Sequence, residues 1–247
     1  MVGILRSEWL KLRKSKILPI IFVGPLIGLF IGLTYNMDLL EGVANDWYIA
    51  LMGMNFTYAL LFLPLITGVL ASVICRYEHQ AGGWKQLLAM PVTRGKVFIS
   101  KYALVMLLVM VIQLLYLASV YTVGMIKGFT TPFPIDIVWK SIFGGWVATL
   151  PLVALQLWMS MLFKSFAAPF AVNVIFTLPT ILAINSETYG PYYPWGGQPF
   201  MMMYIGGKEG GMCSLSRGIN CYSLWVVALF YSSYVDIFIF KERPYKL

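Results

Sequence analysis

Ionisable chemistry is what this sequence has least of. Charged side chains are 11% of 247 residues, the acids number ten, and His79 is the single histidine. One histidine rules out histidine-rich metal centres and Ser-His-Asp triads within the apolar segments. No GxxxxGK[ST] phosphate loop occurs, and no pair of glutamates of the intramembrane-protease kind. The one acid–base neighbour pair, Glu78 and His79, lies in a charged connection, where a solvated pair without a pocket is the expectation. Cysteine is scarce too, and three residues permit one disulfide at most. Cys75 ends an apolar run, whereas Cys213 and Cys221 share one polar loop. They are either paired, if that loop faces an oxidising compartment, or two free thiols.

Apolar residues fill the space that charge leaves. They make up 60% of the chain and the mean hydropathy is +0.78, against roughly 45–50% apolar residues in soluble domains. The composition is that of an all-α polytopic membrane protein. The net charge of +8 belongs with anionic headgroups, because the basic residues sit beside apolar runs and no separate domain exists to bind nucleic acid. Membrane lipid is the implied partner of those residues.

A helix needs near 20 apolar residues to cross about 30 Å of hydrocarbon. Runs of that length lie at about 17–35, 54–75, 102–126, 139–163, 166–185 and 222–240, which predicts six spans in a single unit, 1–247. No small-x-small cleavage site follows the first run, so it is expected to stay as a span rather than leave as a signal peptide. Only "KSFA", around Lys164, separates the fourth and fifth. Six spans put both termini on one side. All Lys and Arg but Lys127, Lys140, Lys208 and Arg217 fall on that side, fourteen of eighteen, so it is expected to be cytoplasmic.

Residues 3–16, "GILRSEWLKLRKSK", set Leu5, Trp9 and Leu12 at helical spacing among five basic residues. The expectation is an amphipathic helix lying along the inner leaflet. At the other end of the chain, 186–221 is a long connection rich in Gly, Pro, Tyr and Met. Its stretch from Pro199 to Gly206 is compatible with a short re-entrant outer helix, which the bilayer tolerates only where protein or water satisfies the backbone.

Small and polar residues mark helix contacts. Gly24, Gly28 and Gly32 form a ridge on one face of the first span, suited to close backbone approach either within one subunit or between two. Gln113, Gln156, Asn173 and Asp236 are polar side chains in later spans. Such groups avoid lipid, so they either tie helices together or line a water-accessible path. Pro64, Pro151, Pro169 and Pro179 interrupt four apolar runs and free backbone carbonyls there.

The connection between the second and third runs, "RYEHQAGGWKQLLAMPVTRGKVFISK", has a pattern of its own. Gly82 and Gly83 break the chain. Trp84, Leu87 and Leu88 then share one face of about two helical turns, Pro91 stops them, and Thr93 caps the next helix. Glu78, Gly83, Trp84, Lys85, Leu87, Leu88, Pro91, Arg94 and Lys101 together resemble the loop after the second span of type-2 ABC-transporter permeases, most similar to the six-span lantibiotic-immunity and bacitracin-resistance branch. The similarity extends to the whole layout, with its N-terminal amphipathic helix, six spans and structured outer segment.

That resemblance implies that residues Glu78 to Arg94 hold a coupling helix, seated on a separate cytoplasmic ATP-binding subunit. ATP and Mg would then bind the partner, with no cofactor, metal or catalytic residue in this chain. It also implies a second permease chain, identical or homologous, a bacterial cell membrane, and export of a peptide antibiotic or other amphipathic compound. Two other classes stand beside this expectation: a membrane immunity or scaffold protein that binds a peptide without moving it, and an enzyme acting on lipid-linked substrates. The short acid–base inventory speaks against the enzyme. Co-purification with an ATPase separates the transporter from the rest.

Overall fold

Long runs of Leu, Val, Ile, Met and Ala leave the backbone no partner but itself in hydrocarbon, and the result is helix. The computed structural model describes residues 7–12, 18–35, 46–79, 94–163, 165–184, 193 and 195, and among these no strand occurs. Helices α1 (7–12), α2 (Leu18–Thr34), α3 (Asp46–Thr57), α4 (Leu63–His79), α5 (Arg94–Lys127), α6 (Ile135–Leu162), α7 (Ala167–Thr177) and α8 (Thr180–Ile184) follow in order. A π-helical turn, Tyr58–Phe62, joins α3 to α4.

Among the described residues, three helices are long and apolar enough to cross a membrane: Asp46–Arg76, Gly95–Lys127 and Ile135–Leu162. Two shorter apolar helices, Pro19–Thr34 and Ala167–Ala183, accompany them. These five coincide with the first five predicted spans. The sixth, 222–240, lies outside the described residues, as does the segment Pro199 to Gly206.

One helix begins well before its apolar run, at Asp46, and another opens at Arg94, directly after the cap expected at Thr93. Tertiary contacts explain the early start at Asp46. Trp47 is buried, packs edge-on against Phe129 and Phe133, and donates its indole N–H to the Thr131 carbonyl at 2.9 Å. A Cβ on Gly124 would fall 1.9 Å from that indole, so the glycine makes its space.

Side-chain pairs give the directions of the helices. Gly24, Gly28 and Gly32 of α2 face Ile112, Tyr116 and Val123 of α5 in ascending order, so the two helices run parallel. At the far end Lys127 Nζ donates to the Tyr35 carbonyl at 2.6 Å. Tyr102 bonds the Leu150 carbonyl and Trp146 the Met106 carbonyl, which makes α5 and α6 antiparallel. The glycine ridge therefore packs within this chain: added Cβ atoms would meet Ile66 and Tyr58 at Gly24, Tyr116 at Gly28, and Met54 and Val123 at Gly32, each as near as 2.7 Å.

Of Leu5, Trp9 and Leu12, expected to share the face laid on the leaflet, Leu5 lies outside the described residues and the other two point different ways. Leu12 is buried with Glu8, one turn away, while Trp9 and Leu10 are 46% and 49% exposed. The reason is Lys101: its ammonium holds the Glu8 carboxylate against α5, which turns Trp9 outward.

Candidate polar seams and the coupling segment

Pro64 is the centre of one buried polar seam. Proline has no N–H to give the helix ladder, and the π-helical turn precedes it, with the Leu63 N–H donating to the Tyr58 carbonyl five residues back. The Pro64 carbonyl accepts from Thr67 Oγ1 at 2.8 Å, Asn173 Nδ2 at 2.9 Å and Gln156 Nε2 at 3.1 Å. Gln156 Nε2 also donates to Asn173 Oδ1 at 2.7 Å. Three helices, α4, α6 and α7, are thereby tied at one backbone oxygen. Thr177 donates to the Asn173 carbonyl and Ser160 to the Gln156 carbonyl. The Ser72 and Ser160 hydroxyls lie 3.4 Å apart one level away.

A second seam joins α3, α5 and α6. Tyr58 and Tyr116 stack with ring centroids 3.9 Å apart and planes within 8°. Tyr116 donates to Asn55 Oδ1 at 2.8 Å, and Asn55 Nδ2 donates to Ser141 Oγ at 3.1 Å. Gln113 is fully buried less than one turn before Tyr116 on α5. These groups are amides, hydroxyls and phenols. They orient and bind by hydrogen bonding and carry no charge to a reacting centre.

Gln113, Gln156 and Asn173 thus occupy buried positions inside the helix bundle, the last two in direct contact. Asp236, Cys213 and Cys221 lie outside the described residues. So do Gly83, Trp84, Lys85, Leu87, Leu88 and Pro91. Glu78 belongs to the last turn of α4 and Arg94 opens α5, so the helices on both flanks of the connection reach to its edges. On the short helix after α6, Ser165 Oγ accepts the Ala167 N–H at 3.2 Å and opens α7. Near its other end, the Tyr193 hydroxyl donates to the Phe176 carbonyl, one of the last-turn acceptors a helix leaves unpaired. Trp195 stacks on the Phe176 ring at 4.7 Å.

One buried charge escaped the sequence reading, and at Pro64 a freed carbonyl was expected without its partners. Glu8 is a lone acid in a basic segment, and helical periodicity gave no reason to turn it inward. The Pro64 carbonyl is invisible to any side-chain pattern. Its signal was the proline itself.

A family model described as ABC-2 family transporter protein matches residues 4–180, which contain every described helix except the end of α8. The chain is also 28% identical over 146 residues to the bacitracin transport permease protein BCRB of Bacillus licheniformis, covering 57% of this chain and 68% of that one. No solved structure matches. With a family match across most of its length and apolar helices of membrane-crossing size, the chain belongs to the ABC-2 family of transporter proteins, as a multi-pass membrane permease subunit.

Proposed function

We propose that this chain is the permease of an ATP-driven exporter that expels a peptide antibiotic or similar amphipathic compound from a bacterial membrane. A cytoplasmic ATP-binding subunit carries ATP and Mg and performs the hydrolysis, and a second permease chain completes the path. The sixth span is 222–240 and both termini are cytoplasmic. The observation that carries the substrate class is the similarity to a permease named for bacitracin transport, joined to the family match.

Coupling falls to the connection between α4 and α5. Trp84, Leu87 and Leu88 are the apolar anchor in the ATP-binding subunit, Lys85 and Arg94 orient it, and Glu78, Gly83 and Pro91 shape the turn. Truncating a buried aromatic anchor at an interface costs about 2 kcal/mol, roughly thirtyfold in affinity. Trp84→Ala is therefore expected to lose the co-purifying ATPase and the antibiotic resistance together while the chain still accumulates in the membrane. Full resistance with an intact complex would remove the coupling role. A wild-type chain that protects cells with no ATPase attached would instead be an immunity protein.

A further inference from the structure

Glu8 and Lys101 stand 93 residues apart in sequence and meet as an ion pair of 2.7 Å, Nζ to Oε2. Lys101 is wholly buried and Glu8 is 2% exposed. Lys11, one turn along α1, holds the other carboxylate oxygen at 2.8 Å. Burying two charges is costly, and an apolar pair of the same size would often stabilise a fold as well or better. The pair is thus a poor device for stability alone. It is a good one for fixing two helices in a single relative position, because displacement pulls apart two opposite charges held together out of water.

The position it fixes is informative. Lys101 is seven residues into α5, about 10 Å along the axis from Arg94, where the chain emerges from the connection assigned to coupling. Glu8 is on α1, which leads through five residues into α2. α2 in turn lies along α5 through the glycine ridge. A displacement of the α5 start by anything seated on residues 80–93 is therefore carried to α1 by a charge pair and to α2 by packing.

We propose that Glu8 and Lys101 are positioning residues for transport, the link by which motion of the coupling segment is transmitted to the N-terminal helix and the first span. This rests on the exporter reading above. It adds a role for the N-terminal helix that goes beyond contact with the leaflet. The link is mechanical. Without it the ATP-binding subunit still docks and still turns over, and the motion stops at α5.

The test uses the full permease co-expressed with its ATPase, comparing E8Q, K101M and the exchanged pair E8K/K101E. Substitutions along a coupling path shift coupling about two- to thirtyfold. E8Q and K101M are expected to keep the complex and its basal ATP hydrolysis but to lower resistance and export per ATP within that range, and the exchanged pair to recover most of it. A merely structural pair would lower complex yield and export together, leaving export per ATP unchanged. That result, undiminished export by E8Q, or an intact exchanged pair that recovers nothing would each overturn the proposal. Should E8Q fail to accumulate, E8D decides: it keeps the charge and shortens the link, so export per ATP must fall, and a wild-type ratio overturns the link. Failure of the exporter reading itself looks different, since no ATPase would then accompany the wild type.

Discussion

A Cβ built on Gly68 would lie 2.0 Å from Asn173 Nδ2, so the missing side chain of one residue is the space in which the other reaches the Pro64 carbonyl. Gly68→Ala must push that amide away or separate α4 from α7. Overpacking of this kind costs about 1–3 kcal/mol. The expected result is a lower midpoint of thermal unfolding for the purified permease. Adding Asn173→Ala should recover part of it, because the clash then has no partner. An additive pair would mean that the two residues are not coupled.

The positions of the spans were legible because hydrocarbon demands long apolar runs, and five of the six runs read from sequence coincide with described apolar helices. Their ends were legible only in part, Arg94 following the expected Thr93 cap while Asp46 had no such signal. Asp46 to Asn55 is helical because Trp47 is clamped by Phe129, Phe133 and Thr131, contacts made across more than eighty residues of sequence. Hydropathy sums neighbours and cannot see them. The glycine ridge was legible as a contact, while its partners required the fold. Glu8 went unnoticed for a different reason: the periodicity of residues 3–16 registers an apolar face laid on the leaflet, whereas it is the buried Lys101 ammonium that draws the carboxylate inward.

Gly28→Leu tests where the ridge acts. Tyr116 Cε2 would lie 2.7 Å from a Cβ at position 28, and Tyr116 is stacked on Tyr58 and cannot swing aside freely. The substitution should therefore unfold the contact between α2 and α5 inside each chain. Accelerated proteolysis of the membrane-embedded protein and a loss of several degrees in unfolding midpoint are expected. Unchanged chain stability accompanied only by a change in subunit stoichiometry would put the ridge between subunits instead.

Cys213 and Cys221 are expected to form a disulfide, since the six-span reading puts their loop on the side opposite the basic termini and seven intervening residues allow closure. Mass spectrometry of the non-reduced protein should find the bridged peptide. Complete alkylation of both thiols without reduction would exclude it. Cys75, buried in the helix bundle, is the internal standard for an unreactive thiol in the same sample.

Gln156 and Asn173 decide between a fastener and a path lining. Each donates a side-chain N–H to the same backbone oxygen, and they bond each other at 2.7 Å. Groups so engaged hold α4, α6 and α7 together beside the Pro64 break, which is where a helix with a missing ladder bond most needs support. Interhelical hydrogen bonds in membranes average about 0.6 kcal/mol and reach roughly 1.7. Asn173→Ala removes the donor to Pro64 and the acceptor from Gln156 together, so its cost should lie near the upper figure. A fastener predicts a lower unfolding midpoint and a uniform decrease in resistance across substrates. A path lining predicts an unchanged midpoint and a changed order of preference among peptide antibiotics. The geometry favours the first outcome. A shifted substrate order at wild-type stability would transfer both residues to the transport path.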